Sequence, residues 1–388
     1  MGKNPRELGE AAEDGLSRFA ARSTDDVRAA RRQHAQPKDD FRTEFQRDYT
    51  RVLHSRAFRR LRHKTQVFIH PKNDHICTRL EHSLHVASIA KTIGRALNLN
   101  LDLMDAIALG HDLGHAPFGH KGQRTLDTIA SRYGLRYQHE RQSLRVVDLV
   151  ESPYTEHPGL NLTFAVRDGI LMHYGEDYDC QELAPDRQRT DIPEDLDGTK
   201  GTPATLEGCV VRWADRVAYV GRDFEDAVAA GIIRQDALPA TIADVLGNTN
   251  REFIASLVGD IVKHSANRDC IVVNGDVREA LREFHSFSEE YIYRSEVVTA
   301  CFGQIERAID SMFEALYREL ENGRVMPPGK LASRTSSVIK VFCEFLFNDL
   351  PAEYDANSPQ KVLDFIGGMT DSFFIQPYTE LFLPRSTA

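Results

Sequence analysis

Residues 78–98 read TRLEHSLHVASIAKTIGRALN, and this stretch decides the fold class. Large apolar side chains recur in it at spacings of three and four residues, which is typical of an amphipathic helix with one buried stripe. The stripe is formed by Val86, Ile89, Ala90, Ile93 and Leu97. His82 lies four residues before the first member of the stripe and therefore falls on the same face. The segment predicts a helix that buries a histidine.

A second helix is predicted over residues 101–113. Leu103, Ile107 and His111 follow at intervals of four residues and so share one face, and Gly114 then provides a helix stop. His111 is therefore expected on a buried helix face.

A third helix is predicted over residues 205–230, where one face carries two carboxylates and a phenol. The members of this face recur every four residues and are Val211, Asp215, Tyr219 and Asp223. Few runs in the chain alternate as strands do, and helical periodicity dominates from Phe41 onward. We therefore predict an all-α fold.

Composition divides the chain into three parts. Residues 1–40 are rich in charged residues and poor in large apolar ones, which predicts a mobile N-terminal arm with one loose helix near residues 6–33. Residues 41–230 are expected to form the functional core, interrupted by a polar, acidic and irregular excursion at residues 174–204. Residues 231–388 are expected to form a C-terminal helical region packed on that core.

Bulk properties exclude several classes of protein. No stretch approaches the roughly 20 apolar residues of a membrane span, and the first thirty residues lack a signal core, so we expect no membrane association and a cytoplasmic location. The six cysteines are scattered without a CxxC pair, which favours a reduced protein with incidental thiols. A net charge of −10 argues against a protein built mainly to coat nucleic acid.

One segment is strongly basic despite the acidic total. Residues 41–64 contain eight basic side chains and two acidic ones. Such a concentration indicates a local anion site, for example for a polyphosphate. A solvated basic helix or a subunit contact is the alternative.

Each of the three predicted helical segments also carries residues that can bind metal. His82, the pair His111–Asp112, and Asp215 are all expected on buried faces, where imidazole and carboxylate groups are costly unless something compensates them. A divalent cation would do so, and two imidazoles and two carboxylates would leave positions open for water and substrate on a six-coordinate ion. The set predicts a catalytic metal site rather than a structural one.

Histidines are concentrated just after the second helix. Residues 111–120 read HDLGHAPFGH and contain three of them, and His139–Glu140 follows shortly afterwards. Packing alone does not explain this density, although a single histidine on an apolar face is usually just a core residue.

Four stretches together resemble one protein family. Residues 79–83 (RLEHS), 111–120 (HDLGHAPFGH) and 214–219 (ADRVAY) closely resemble the HD-domain deoxynucleoside triphosphate triphosphohydrolases, and residues 48–61 (DYTRVLHSRAFRRL) are similar to the bacterial dGTPase-like branch. The resemblance implies an HD-domain helical bundle with additional C-terminal helices. It also implies hydrolysis of deoxynucleoside triphosphates (dNTPs), dGTP or several of them, at the α-phosphorus to a deoxynucleoside and inorganic triphosphate.

The resemblance also implies roles for the histidines near the metal, whose ligands would be His82, His111, Asp112 and Asp215. His115 and His139 would act in acid/base catalysis or contact the α-phosphate, since an imidazole titrates close to neutrality. Glu140 would orient or polarise the ring of His139. His120 would contact a phosphate or the sugar side.

Five further residues are implied to bind substrate. Arg79 would clamp phosphate oxygens, Tyr219 would exclude a ribose 2′-hydroxyl by contact with the sugar, and Asp223 would hold the 3′-hydroxyl with Gln66. Lys64 would bind phosphate or lie at a subunit interface. From the residues alone, Arg79 could instead be a surface helix residue, and Tyr219 and Asp223 could form a structural hydrogen bond.

The cofactor implied by the resemblance is one divalent ion per subunit, with magnesium, manganese or iron as candidates and nickel, cobalt or zinc as further candidates in purified protein. The implied partners are a dNTP substrate, other subunits in a tetramer or hexamer, and an allosteric dNTP or single-stranded nucleic acid.

Two other functions are compatible with the same metal ligands. One is an HD phosphodiesterase or nucleotidase that acts on another phosphorylated nucleotide, and the other is a nucleotide-sensing regulator that has lost turnover. The basic segment, the extra histidines and the Tyr219–Asp223 pair favour the dNTP triphosphohydrolase.

Overall fold

The computed structural model describes residues 3–68, 76–175, 181–192, 201–332, 335–351 and 354–383. Within these ranges the regular secondary structure is helical apart from two short strands, which confirms the predicted all-α class. No helix in the described ranges is long and apolar enough to cross a bilayer.

In chain order, the α-helices are α1 (Pro5–Glu13), α2 (Glu44–His54), α3 (Arg56–Arg60), α4 (Arg79–Leu97), α5 (Leu101–Gly110), α6 (Gly119–Ser131), α7 (His139–Arg145), α8 (Phe164–Leu171), α9 (Leu206–Ala229), α10 (Ala240–Leu246), α11 (Asn250–Ser265), α12 (Gly275–Ser288), α13 (Glu296–Thr299), α14 (Phe302–Glu321), α15 (Ser337–Glu344), α16 (Ser358–Gly367) and α17 (Asp371–Phe382). The strands are β1 (Glu182–Leu183) and β2 (Ile271–Val272). Short 3₁₀ turns span Leu61–His63, Gln235–Ala237 and Pro328–Lys330, and π-helical turns span Val146–Val150, Glu289–Tyr293 and Phe345–Asp349.

The helix predicted over residues 78–98 is α4. Thr78 caps it by accepting a hydrogen bond from the backbone N–H of Glu81, whose side chain accepts one from the backbone N–H of Thr78. The helix ends at Asn98, which has a left-handed φ of 56°. The predicted stripe and His82 lie on its buried side.

The other two predicted helices are α5 and α9, and both pack against α4 and against each other. Helix α5 ends at Gly110, three residues earlier than predicted, because the chain turns at residues 111–114 before α6 begins at Gly119. Helix α9 begins after Thr205, whose side chain accepts a hydrogen bond from the backbone N–H of Gly208. These three helices bring distant parts of the sequence to one place.

Two apolar cores flank the point where α4, α5 and α9 meet. The first core joins α4, α5, α8 and α9 with α10, α11 and α12, and the second joins α6 with α14, α15, α16 and α17. The segment after α5 passes from one to the other, because Leu113 packs in the first core whereas Ala116 and Phe118 pack in the second. The predicted unit 231–388 is therefore divided, since its first three helices belong to the core of residues 41–230.

The N-terminal segment is attached to the first core, which corrects the prediction of a mobile arm. Only Pro5–Glu13 is helical, and Ala20, Ala21 and Ala29 are buried in the core. Arg32 anchors the segment through ion pairs of 2.6 Å with both Glu44 and Asp48. The composition predicts mobility because the segment has few large apolar residues. Its attachment instead depends on small buried alanines and on paired charges, which composition does not reveal.

The described part of the segment 174–204 also contacts the core. Strand β1 pairs with β2 in antiparallel fashion, and Arg189 forms a 2.7 Å ion pair with the buried carboxylate of Asp168. Residues 176–180 and 193–200 lie outside the described residues.

The buried pairs of Arg32 predict a large cost for removing this residue. Arg32→Ala leaves the carboxylates of Glu44 and Asp48 without this partner while their side chains are only 6% and 0% exposed. We expect a loss of about 3 kcal/mol in the free energy of unfolding, measured by urea titration, and faster proteolysis of the N-terminal segment. Arg31→Ala is the matched control because its ion pair with Asp191 is exposed, so its expected cost is about 0–1 kcal/mol. Equal losses in both variants would contradict this account.

Candidate metal centre and substrate cavity

The four predicted metal ligands meet in the folded chain. The Nε2 atom of His82 lies 2.8 Å from Oδ1 of Asp215, although the two residues are 133 positions apart. The Nε2 atom of His111 lies 3.4 Å from Oδ1 of Asp112 and 3.8 Å from Oδ1 of Asp215. Helix α4 contributes His82, the turn after α5 contributes His111 and Asp112, and the middle of α9 contributes Asp215.

The donor atoms fit a divalent cation. Nδ1 of His111 lies 2.7 Å from the carbonyl oxygen of Ala108, which can only accept, so the proton is on Nδ1 and the lone pair of Nε2 faces the cluster. That Nε2 atom is buried and has no hydrogen-bond partner among the described residues, which is costly unless a cation binds it. Burial raises the pKa of Asp215, but the hydrogen bond with His82 and the nearby His111 lower it to about 2, so this carboxylate is ionised at neutral pH.

Arg79 extends the cluster toward a cavity of about 380 Å³. It is buried rather than on the surface, and its Nη1 donates a 2.9 Å hydrogen bond to Oδ2 of Asp112. Its Nε and Nη2 atoms have no hydrogen-bond partner among the described residues. They are therefore available to the oxygens of an anionic ligand.

The cavity contains most of the predicted site. Predicted residues on its wall are Gln66, Arg79, His82, Asp112, His115, His120, His139, Asp215, Tyr219 and Asp223. Residues on its wall that were not predicted include Lys121, Gln123, Arg124, Tyr174, His285 and Tyr293. His115, His120 and His139 therefore share one cavity wall with the predicted metal cluster.

His115, His120 and His139 form a compact group on the cavity wall. The rings of His115 and His139 have centroids 4.0 Å apart, and those of His115 and His120 are 5.9 Å apart. Burial lowers the pKa of His120 to about 4, and it also holds the pKa values of His115 and His139 well below their usual range. The rings are thus neutral near pH 7 and can accept protons or donate N–H hydrogen bonds.

Three predicted residues lie outside the cavity wall, namely His111, which is behind it in the metal cluster, Lys64 and Glu140. The ammonium of Lys64 is buried and donates to the backbone carbonyls of His115 and Gly367, the latter at 2.8 Å, so its predicted role in phosphate binding is corrected. Lys64 instead supports the segment that carries His115. Glu140 lies behind His139, with Oε2 3.1 Å from Nδ1 of that ring.

Sequence reasoning missed two residues with specific contacts in the site. His173 lies just after α8, and its Nε2 is 3.1 Å from Nε2 of His139. Tyr293 comes from a π-helical turn after α12 and donates a 2.6 Å hydrogen bond to Oδ2 of Asp223. Neither residue belongs to a recognisable local motif, since both reach the site only through long-range packing.

Comparison with known proteins is consistent with this geometry. Residues 79–220 match the HD domain family, and residues 271–380 match the phosphohydrolase-associated domain. The chain is 35% identical to a deoxyguanosinetriphosphate triphosphohydrolase-like protein of Caldanaerobacter subterraneus subsp. tengcongensis, covering 95% of this chain and 93% of the relative. It is also 35% identical to a protein of the same name from Desulfatibacillum aliphaticivorans, covering 96% of this chain and 95% of the relative.

The chain belongs to the HD-domain phosphohydrolases of the dGTP triphosphohydrolase-like group. The four predicted ligands and Arg79 all lie within the HD domain, as do His115, His120 and His139. The phosphohydrolase-associated domain contributes Tyr293 to the cavity and Gly367 to the support of Lys64. Both matched domains of this HD phosphohydrolase therefore contribute to the site.

Asp223 predicts a pH dependence of stability. Burial raises the pKa of Asp223 from 3.8 to about 7, and the hydrogen bond from Tyr293 only partly opposes this. Between these two values the folded state holds a proton that the unfolded state has lost, so stability decreases as the pH rises through this window. We expect Asp223→Asn to raise the melting temperature relative to the wild type more at pH 8 than at pH 5.

The control is Asp236→Asn, at an exposed position. The hydrogen bond from Arg234 lowers the pKa of Asp236 below 3.8, so this group does not titrate between pH 5 and pH 8. The same Asp223→Asn difference in melting temperature at both pH values would show that the carboxyl is not perturbed.

Proposed function

We propose that this HD phosphohydrolase hydrolyses dNTPs, dGTP or several of them, to the deoxynucleoside and inorganic triphosphate. The printed names of its relatives support this substrate class. The observation that carries the proposal is the cavity itself, whose wall combines His82, Asp112 and Asp215 of the cluster with Arg79, Lys121 and Arg124 and with the Tyr219–Asp223 pair of α9. The cationic side chains would bind the triphosphate, and the tyrosine–carboxylate pair would bind the sugar.

The cationic wall suits a polyphosphate. Arg79, Lys121 and Arg124 line the cavity, and Arg79 is the buried member with free donor atoms. Its planar guanidinium can donate two parallel hydrogen bonds to phosphate oxygens, which gives orientation as well as charge compensation. Lys121 also forms a 2.7 Å ion pair with Glu306, whose side chain is 60% exposed. Such an exposed pair is weak enough to be replaced by a phosphate contact.

Another part of the cavity wall suits a deoxyribose. Tyr219 and Asp223 are one helical turn apart on α9, and Gln66 lines the same cavity. The side-chain oxygen of Gln66 is buried without a hydrogen-bond partner among the described residues, so it can accept a bond from a sugar hydroxyl. In this proposal Asp223 and Gln66 hold the 3′-hydroxyl, and the ring of Tyr219 occupies the space that a 2′-hydroxyl needs.

The reaction joins a water oxygen to the α-phosphorus, breaks the bond to the 5′-oxygen and returns a proton to that oxygen. A bound divalent cation would supply Lewis-acid stabilisation of the phosphoryl charge. Nδ1 of His115 lies 2.8 Å from Oδ1 of Asp112, and neither nitrogen of this ring has a hydrogen-bond partner among the described residues, so the neutral ring can take the proton of the attacking water. Arg79 neutralises charge on the phosphate, and His139, whose ring lies 4.0 Å from that of His115, is the proposed group that receives this proton and returns it to the leaving oxygen.

The remaining expectations are also proposals. We propose a homo-oligomer, either a tetramer or a hexamer, in the cytoplasm. The basic segment 41–64 offers a surface for an allosteric dNTP or single-stranded nucleic acid, since Arg42, Arg56 and Arg59 of this segment line a second cavity of about 840 Å³. The identity of the divalent ion stays open among magnesium, manganese and iron.

Product analysis tests the reaction. Incubation of each dNTP with the manganese-loaded or magnesium-loaded protein should release inorganic triphosphate and the deoxynucleoside. His115→Ala should retain metal and lose on the order of 10²-fold in kcat, as expected when a general base is removed. Orthophosphate or pyrophosphate as product would instead support a phosphodiesterase or nucleotidase, and binding of dNTP without turnover would support a regulator.

Sugar selection by Tyr219 has its own test. Tyr219→Ala removes the ring from the proposed 2′ position and should increase kcat/KM for GTP while dGTP is still hydrolysed. Tyr219→Phe is the matched control because it keeps the ring and should continue to reject GTP. Rejection of GTP by both variants would show that another residue selects the sugar.

A further inference from the structure

Asp371 is a buried carboxylate that bonds to two separate parts of the cavity wall. It lies at the start of α17 and is only 2% exposed to solvent. Its Oδ2 atom accepts hydrogen bonds from the backbone N–H of Thr65, at 3.2 Å, and from the hydroxyl of the same residue. Its Oδ1 atom accepts one from the backbone N–H of Phe118, at 2.9 Å. Thr65 and Phe118 line the cavity, whereas Asp371 itself is not part of the wall.

The three donors explain why an acid stands at this position. A carboxylate has two acceptor oxygens and no N–H group, so it can accept from both segments at once. The amide of an asparagine would turn an N–H donor toward one of the segments, and two donors that face each other in a buried place are both left unsatisfied. The carboxylate of Asp371 therefore holds together two segments that are distant in the sequence.

The two bonded segments are in contact where each carries a group of the proposed substrate site. A Cβ atom at Gly119 would lie 3.1 Å from the carbonyl oxygen of Gln66, so the two backbones pass very close to each other. Phe118 and Gly119 have left-handed φ values of 62° and 57°, and such a conformation persists at Phe118 only where its surroundings impose it. Gln66 and His120, which follow the two bonded residues, both lie on the cavity wall.

The first of these segments is also joined to the start of α4. The backbone carbonyl of Lys64 accepts a 3.2 Å hydrogen bond from the backbone N–H of Arg79, and Thr65 forms an antiparallel bridge with Thr78. The segment therefore lies between Asp371 on one side and the residue that is proposed to bind phosphate on the other. A shift of this segment would move Arg79 as well.

We propose that Asp371, in the phosphohydrolase-associated domain, is a positioning residue that fixes the segments of Gln66 and His120 so that both face the substrate together. The inference rests on the proposed function, in which Gln66 binds the 3′-hydroxyl of the sugar. The hydrogen bonds of Asp371 go to Thr65 and Phe118 and not to a predicted metal ligand, so its removal should leave the metal site intact. A displacement of about 1 Å in groups that orient a substrate can lower the rate by about 10²-fold.

Hydrogen exchange tests the link without any substrate. In Asp371→Asn, the backbone amides of Thr65 and Phe118 should exchange with deuterium roughly tenfold faster or more than in the wild type, measured by mass spectrometry well below the melting temperature. Val362→Ala is the matched control, because it shortens a buried side chain of α16 in the same second core and removes no hydrogen bond of the link. It should lower the melting temperature without this local change.

Activity tests the consequence of the link. Asp371→Asn should bind as much Mn²⁺ per chain as the wild type and lose on the order of 10²-fold in kcat/KM for dGTP. Its preference for dGTP over 2′,3′-dideoxy-GTP should fall to that of Gln66→Ala, because the 3′-hydroxyl loses the same contact in both variants. Val362→Ala should keep the wild-type kcat/KM and the wild-type preference.

Other results would overturn the proposal. Unchanged exchange in Asp371→Asn would do so, and faster exchange with the kcat/KM of Val362→Ala would show that Asp371 has a structural role only. If Asp371→Asn does not fold by circular dichroism, Thr65→Val removes one donor of the link and should lose roughly tenfold in kcat/KM, whereas Thr65→Ser keeps that donor and should retain activity. Faster exchange together with a wild type that releases no triphosphate from any dNTP would reject the proposed function while retaining the link.

Discussion

The site depends on one electrostatic constraint, which is the burial of imidazole and carboxylate groups around a single point. His82, His111 and Asp112 are almost inaccessible to solvent, and Asp215 faces them from α9. Removing such charges from water costs several kcal/mol for each ion unless an opposite charge compensates it. A divalent cation would provide that compensation, and the packing of α4, α5 and α9 holds the donor atoms close enough together to bind one.

The second core holds the other side of the site. Asp371 at the start of α17 accepts hydrogen bonds from the backbone N–H groups of Thr65, at 3.2 Å, and Phe118, at 2.9 Å. Phe118 has a left-handed φ of 62°, a conformation that costs a non-glycine residue about 1–3 kcal/mol and persists only where its surroundings impose it. Lys64, bonded to the carbonyls of His115 and Gly367, adds a second link. The C-terminal helices therefore maintain the shape of the histidine-rich segment.

The predictions that rest on local pattern were the successful ones. Helical periodicity, which is set within a few residues, places His82 on the buried face of α4 and Asp215 on the face of α9 that meets it. Lys64 was wrong because a basic sequence shows charge but not direction, and this ammonium points inward to backbone carbonyls. The N-terminal arm was wrong for a related reason, since composition does not reveal that Arg32 has buried partners.

The sequence alone determined the helical class, the family resemblance and the choice of His82, His111, Asp112 and Asp215 as predicted ligands, because each depends on spacing within one helix or on a short motif. Only the tertiary structure decided which distant groups share the cavity. Tyr293 lines the cavity and His173 contacts His139 on its wall, each from a segment with no motif of its own, and the carbonyl of Gly367 accepts a hydrogen bond from Lys64, 303 residues earlier. Local periodicity determines which face of its helix a side chain occupies. Its partners across the cavity are determined by how the first and second apolar cores pack against the segment after α5.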